Sequence, residues 1–316
     1  MKIAVIGAGG VGGYFGARLV KAGNDVTFLA RGEHLEALKK NGLFVKSILG
    51  DFHADQFVAT DIIAEIENPD LVILGVKAWQ VEDILADLKK IIHPDSMILP
   101  LQNGVTVAEE LAEVIDSSCI LGGMCRIFSK IESPGVINHF GITPEIIFGE
   151  LDQEPSSRLR DLKQAFDIAG IESHISPDIQ ADLWKKFIVI CVSGLLAVTH
   201  TSYGELREQK ETREMMISLL NEIYRVSRAA GINLSSDIVD KTIEFIDTFP
   251  YDSVSSLTRD VWEGKPSEIE YQNGTVVRLG EKYGVDTPVN NFIYHCILPG
   301  ELKARNLFPS SKPEDR

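Results

Sequence analysis

Residues 2 to 12 read Lys-Ile-Ala-Val-Ile-Gly-Ala-Gly-Gly-Val-Gly, and the fold of the first half of the chain is decided there. The apolar run Lys2 to Ile6 suits a parallel strand buried on both faces. From Val11 to Val20 the spacing turns helical, Gly23 and Asn24 stop it, and a second strand follows from Asp25 to Leu29. In that setting the glycines have separate tasks: Gly7 permits the tight turn, Gly9 lets a pyrophosphate approach the backbone, and Gly12 lets helix and strand pack closely. The helix N-terminus offers unpaired N–H groups and a partial positive charge to the phosphates. The segment Gly7-Ala8-Gly9-Gly10-Val11-Gly12 is therefore read as a dinucleotide-binding loop at the start of a Rossmann-type domain.

The second strand ends in Phe28-Leu29-Ala30-Arg31-Gly32. An acid at that position would hold the ribose hydroxyls of NAD; an arginine suits the 2′-phosphate of NADP. Two further buried strands, Asp70 to Val76 and Ser96 to Leu101, flank a helical stretch from Val81 to Ile92. They run into Lys77-Ala78-Trp79-Gln80 and Gln102-Asn103-Gly104, loops that an open parallel sheet turns toward its ligand. Asn103 could use either end of its amide, on a nicotinamide or on a substrate oxygen, or could belong to an ordinary Asn-Gly turn. The sheet is expected to continue through Cys119 to Gly123 and to finish with two short antiparallel strands, Gly135 to Phe140 and Glu145 to Gly149, around a turn at Gly141-Ile-Thr-Pro144.

Composition narrows the function. A chain of 316 residues with 44% hydrophobic content can bury two cores. Its net charge of −15 argues against nucleic acid, because phosphate backbones need a basic surface. A small anionic substrate remains compatible if a few cations are placed locally. No apolar run approaches the roughly 20 residues of a membrane span, and the N-terminus has no leader pattern, so a cytoplasmic protein is expected. Cys119, Cys125, Cys191 and Cys296 show no CxxC pairing and are expected to be buried thiols; no histidine pair has ligand spacing, so no metal is expected. The tail PSSKPEDR is too polar to pack.

From Asp178 onward helical patterns dominate: Ile179 to Leu196, Lys210 to Ala230, Ser236 to Phe245, Ser267 to Tyr283 and Asn290 to Leu298. The expected organisation is α/β, with a Rossmann domain over residues 1–177 and an all-helical domain over 178–316 that supplies the substrate-facing wall of a cleft. Lys185 and Lys186 open a stretch with no formal charge from Phe187 to Gly204. Adjacent helical residues differ by about 100°, and Lys186 has Leu183 and Ile190 on its own face, which points it inward. Asp182, one turn earlier, offers a plain helix salt bridge, and snorkelling to water is a second mundane solution. Further on, Ser255 to Asp260 reads as a polar loop, and Ser267 to Glu270 fits a capping box with Ser267 as N-cap. That leaves Glu268 free at the first helical position, where it could keep a half-buried lysine protonated.

The glycine loop, Arg31, Lys77-Ala-Trp-Gln80, Gln102-Asn103-Gly104, Leu183-Trp184-Lys-Lys186, Gly204-Glu-Leu206, Ser255-Ser256 and Ser267-Glu268-Ile-Glu-Tyr271 occur in the order and spacing of the ketopantoate reductases, and the chain resembles that family over nearly its whole length. The resemblance implies an NADP(H)-dependent reduction of a 2-oxo acid, with Lys186 as general acid, Glu268 as active-site carboxylate and cofactor contact, Asn103 holding cofactor and substrate, and Ser256 binding substrate. It implies that Gly7 to Gly12, Arg31, Lys77 and Gln80 meet the cofactor. The family's asparagines four and eight residues beyond the lysine, and before Gly-Glu-Leu, are Ile190, Gly194 and Tyr203 here, so Ile190 and Gly194 should line a less polar substrate pocket. A different branched or more apolar 2-oxo acid is therefore one alternative substrate, and a noncatalytic NADP(H) sensor is the alternative from another class. The expected partners are a small anionic 2-oxo acid and, as one compatible assembly, a second copy in a homodimer; neither nucleic acid nor membrane is expected.

Overall fold

A computed structural model describes residues 1–308; the polar tail from Pro309 lies outside the described residues. In chain order the elements are β1 (Lys2–Ile6), α1 (Gly10–Lys21), β2 (Asp25–Leu29), α2 (Gly32–Asn41), β3 (Leu43–Ser47), β4 (Phe52–Ala54), β5 (Val58–Thr60), β6 (Leu71–Leu74), α3 (Val81–Ile91), β7 (Met97–Pro100), α4 (Val107–Ala112), β8 (Leu121–Ser133), β9 (Val136–Glu150), α5 (Ser157–Ile168) and β10 (Glu172–Ile175). Helices α6 (Ile179–Ile190), α7 (Val192–Thr199), α8 (Tyr203–Glu208), α9 (Lys210–Ala229), α10 (Ile238–Asp247), α11 (Ser256–Trp262), α12 (Thr275–Tyr283) and α13 (Pro288–Ala304) follow. No helix among the described residues is long and apolar enough to cross a membrane.

The first compact unit comprises Met1–Gln102 and Thr106–Leu183. Its first sheet is parallel in the order β5-β2-β1-β6-β7. Central β1 is buried from Ile3 to Ile6, as its continuous apolar run requires. The strand order reverses between β1 and β6, which brings the loops after these strands to the end of the sheet where such folds bind ligands. Two glycines show why the turn is built this way. Gly7 has φ +100°, and a Cβ on Gly12 would stand 2.2 Å from the Gly7 carbonyl oxygen and 3.0 Å from Val5 Cγ1. A Cβ on Gly9 would meet nothing within 4 Å. Gly12→Ala is accordingly expected to cost at least about 3 kcal/mol of stability, because a backbone oxygen cannot step aside. Gly9→Ala should unfold with the parent in urea yet lose dinucleotide affinity in a fluorescence titration.

The antiparallel end of this unit differs from the sequence expectation. Strands β8 and β9 form one long hairpin turning at Pro134-Gly135, where Gly135 has φ +77°. Residues Gly141 to Pro144 are not its turn: between the pairs Arg126↔Glu145 and Phe128↔Phe140 they are accommodated as extra length within β9. The Gly and Pro that signal a turn serve a bulge instead, which bends the strand. The hairpin also leaves the first sheet and joins a second, ordered β10-β9-β3-β4 with β8 on β9. Cys119 lies in a 3₁₀ turn just before β8.

The second unit comprises Asn103–Val105 and the chain from Trp184 onward, so by contacts the units part within α6. It is helical throughout its main span. Helix α9 shows the logic: Met216, Leu219, Leu220, Ile223 and Val226 recur at helical spacing and are fully buried. The single helix expected from Ile179 to Leu196 is broken at Cys191 into α6 and α7. The polar stretch Ser255 to Asp260 forms most of α11, with Ser255 as its N-cap. The helix expected from Ser267 begins as a π-turn, Glu270–Gly274, before continuing as α12. Cys119, Cys125 and Cys191 are buried, but Cys296 is exposed on α13.

Candidate active site

In the first unit the glycine loop is anchored to β2 through the backbone: the N–H groups of Gly7 and Ala8 both donate to Leu29 O at 3.1 Å. His34 of α2, which the sequence alone does not single out, braces it. The Gly135 N–H donates to His34 Nδ1 at 3.1 Å, so Nε2 carries the proton and donates to Ala8 O at 2.8 Å. Burial holds this imidazole below its usual pKa, and the bond to Ala8 O only partly offsets that. A lone histidine without ligand spacing gives no signal for this role.

Arg31 is exposed at the N-cap position of α2 and shares a recess with Asp61, Asp83 and Asp87. Lys77 is exposed, its Nζ 5.6 Å from the Trp79 ring, and its backbone N–H is capped by Gln80 Oε1 at 3.1 Å. Gln102 is buried, and its Nε2 donates to Leu74 O and Val76 O at 3.0 Å each, tying the loop after β7 to the loop after β6. Glu145, Glu172 and His174 approach one another within 4.8 Å, a grouping made by strand pairing that sequence spacing hides, and Arg126 pairs with Glu145 at 3.0 Å.

In the second unit the structure joins two of the predicted residues. Asn103 Nδ2 donates to Glu268 Oε2 at 2.8 Å across 165 positions of sequence, and Glu268 is only 5% exposed. The amide end is thereby assigned: its nitrogen serves the carboxylate, which leaves the carbonyl oxygen as the end able to accept. Gly104 makes the approach feasible, with φ +113° and its Cβ position 3.0 Å from Tyr271 O.

Glu268 is not set by a capping box. The Ser267 N–H and Oγ both donate to Glu301 of α13, at 2.8 Å and 2.6 Å on Oε2. Arg305 closes the arrangement with Nε on Glu301 and Nη2 on Ser267 O at 2.9 Å. Glu270, expected to cap, is instead bound by Arg278 and by the Tyr294 hydroxyl. The Ser267 N–H that a capping box would give to Glu270 goes to the buried Glu301 carboxylate.

Lys185 is exposed and Lys186 half-buried on α6, with Leu183 and Phe187 buried beside them. Asp182 accepts a hydrogen bond from Ser176 Oγ at 2.6 Å. Ile190 is half-buried at the end of α6. Gly194, expected to line the substrate pocket, is instead enclosed: a Cβ there would meet Asn273 Oδ1 at 2.3 Å and Ile293 Cγ2 at 2.7 Å. The carboxamide of Asn273 takes the space a side chain at 194 would need. Tyr203 is buried edge-on against Phe249, its phenol bonded to Ser193 and pushed up to about 12 by burial. Ser256 is exposed in the first turn of α11, whose Thr258 donates to Ser193 O at 3.0 Å.

Comparisons with known proteins converge. The family model described as "Ketopantoate reductase PanE/ApbA" matches residues 3–153, and its C-terminal counterpart matches 178–301. An uncharacterized oxidoreductase of Bacillus subtilis, YkpB, is 32% identical, over 93% of this chain and 97% of that protein. A 2-dehydropantoate 2-reductase of Nostoc is 31% identical, over 93% of each. Among solved structures, D-mandelate dehydrogenase with NADH and anilino(oxo)acetate superimposes with a TM-score of 0.85 at 26% identity, covering 96% of this chain and 99% of the other. The protein is thus an oxidoreductase. Within that class, it belongs to the ketopantoate reductase family.

Proposed function

We propose that this enzyme reduces a 2-oxo acid with NADPH, and that ketopantoate, reduced to pantoate for pantothenate biosynthesis in the cytoplasm, is its first substrate. The observation that carries the reading is the buried Glu268 carboxylate, held at 2.8 Å by Asn103, in the same unit as the half-buried Lys186. A buried carboxylate keeps a nearby ammonium protonated, and a protonated amine is what a reduced carbonyl requires. When bound, the dinucleotide supplies a hydride to C2 of the substrate. The substrate oxygen then carries negative charge, which the Lys186 ammonium stabilises and quenches by giving up one proton. Asn103 Oδ1 is available to orient a donor on cofactor or substrate. Open space at Gly9 suits a pyrophosphate, and Ser256 together with the end of α6 at Ile190 suits the substrate side.

NADP is favoured by Arg31 and opposed locally by Asp61, Asp83 and Asp87 in the same recess. If Arg31 grips the 2′-phosphate, Arg31→Ala will raise KM for NADPH about tenfold and leave KM for NADH within twofold, the usual worth of a charge-assisted contact. Equal effects on both cofactors would reject the phosphate role.

A second substrate reading has its own support. Ile190 and Tyr203 replace amides, and the neighbouring D-mandelate dehydrogenase structure holds an aryl oxo compound. Comparing kcat/KM across ketopantoate, branched aliphatic and aryl 2-oxo acids decides between them, and a clear preference for another acid displaces ketopantoate.

A further inference from the structure

The π-turn Glu270–Gly274 carries Asn273, which is fully buried and whose amide orientation is determined by its partners. Its Nδ2 donates to Cys191 O at 3.1 Å and to Asn290 Oδ1 at 2.9 Å. Asn290 in turn must present its oxygen to Asn273, because its own Nδ2 donates to Glu222 Oε2 at 2.7 Å and Leu219 O at 3.3 Å. Glu222, buried, also accepts from the N–H groups of Val289 and Asn290 at the start of α13. No flip of either amide satisfies these partners. The direction of every bond in the chain Glu222–Asn290–Asn273–Cys191 is therefore set by a carboxylate at one end and a backbone carbonyl at the other.

The opposite end of Asn273 is left unsatisfied. Oδ1 has no hydrogen-bond partner among the described residues and lies against Gly194, where a Cβ would stand 2.3 Å away. A buried acceptor without a donor is destabilising. An apolar side chain of the same shape would avoid that cost, so the donating end must be what the position is kept for. That end joins two specific places. Cys191 is the break at which α6, the helix of Lys186, stops and α7 begins. The π-turn follows directly on Glu268, with Tyr271 N–H on Glu268 O at 3.0 Å and Gly274 N–H on Ile269 O at 2.9 Å. π-turns recur at functional sites because the extra residue re-aims the chain.

We infer that Asn273 is a positioning residue for reduction: its amide fastens the end of the Lys186 helix to the turn that carries Glu268, and Gly194 is its steric counterpart, kept without a side chain so that the amide can enter. The inference rests on the proposed roles of Lys186 and Glu268. It acts through geometry, so it should change kcat rather than cofactor affinity, and a displacement of about 1 Å is worth roughly a hundredfold.

The test uses the full chain and two variants, Asn273→Ala and the double variant Asn273→Ala with Gly194→Ala, which refills the vacated space. Expected are a kcat lowered about a hundredfold in both, an NADPH dissociation constant within twofold of the parent, and recovery by the double variant of at most part of the melting temperature and none of kcat, since Cys191 O and Asn290 Oδ1 still lack their donor and Ile293 Cγ2 must give way to the new Cβ. If either folded variant turns over within about twofold of the parent at unchanged KM, the positioning role is wrong, and the parent's own turnover shows that the reductase reading survives. If the parent reduces no 2-oxo acid, the reductase reading falls and this inference falls with it. Should Asn273→Ala not fold alone, the double variant decides the matter by the same kcat criterion.

Discussion

Lys186→Ala is expected to lower kcat about a thousandfold while leaving NADPH binding within twofold, as measured by steady-state kinetics and by fluorescence titration of the same preparation. Removing a positioned proton donor costs about 10²–10⁴ in rate, and in the proposed reaction the same group would also stabilise the charge that develops on the substrate oxygen. Lys186→Arg sharpens the test. A guanidinium keeps the charge but does not release a proton in the working pH range, so it should restore substrate affinity and little of kcat. The adjacent Lys185 is the internal control, being exposed on another side of α6. Its alanine variant should turn over within about twofold of the parent, since solvated surface substitutions are close to neutral. Equal losses from both variants would mean that net positive charge on α6, rather than one placed amine, is what matters.

The largest effect on stability is expected from Glu301→Ala. This carboxylate is 5% exposed and receives the Ser267 N–H, the Ser267 hydroxyl and Arg305. Truncating it removes the carboxylate partner of a guanidinium whose side chain is 18% exposed and leaves a buried Ser267 N–H unpaired. Breaking a buried pair from one side costs about 3–5 kcal/mol. Urea unfolding should show that loss, and because Ser267 precedes Glu268, kcat should fall as well in whatever fraction stays folded. Glu301→Gln retains an acceptor for Ser267 and should recover part of the stability. A Glu301→Ala protein as stable as the parent would show that water replaces the carboxylate at no cost, and would remove the reason given for Glu268 sitting where it does.

How much of this is legible in the sequence depends on the range of the interactions. The dinucleotide fold is readable because its signals are local: a run of five strand residues, a positive-φ glycine at 7 and a helix spacing from Val11. The hairpin is not, because Gly141 and Pro144 carry the same local signal in a bulge as in a turn, whereas the true turn sits at Pro134-Gly135. Strand β3 has only three consecutive apolar residues before Lys46, and β4 is three residues long with a histidine at its centre, so neither stands out. At the break the Cys191 carbonyl accepts from Asn273, 82 residues away, a partner that the local apolar stretch does not reveal. The capping box fails for a like reason, since Glu301 accepts the Ser267 N–H from 34 residues away. Asn103 and Glu268 can each be nominated from motif and residue type. That they touch is a fact only the fold supplies.

The loss of polarity inferred from Ile190, Gly194 and Tyr203 also takes a different form in the structure. Gly194 is buried against the carboxamide of Asn273, and the buried Tyr203 phenol is bonded to Ser193. The substitution at 190 is then the one that alters a half-exposed surface, and it is the position where a substrate panel should be read most closely.

The most direct measurement is the consumption of NADPH by the purified chain on addition of ketopantoate and, in parallel, of other 2-oxo acids, with the hydroxy acid product quantified. The expected result is one 2-hydroxy acid formed per NADPH consumed with at least one of them, abolished in Lys186→Ala. NADPH that binds but is not oxidised in the presence of any 2-oxo acid, in parent and variant alike, would contradict it.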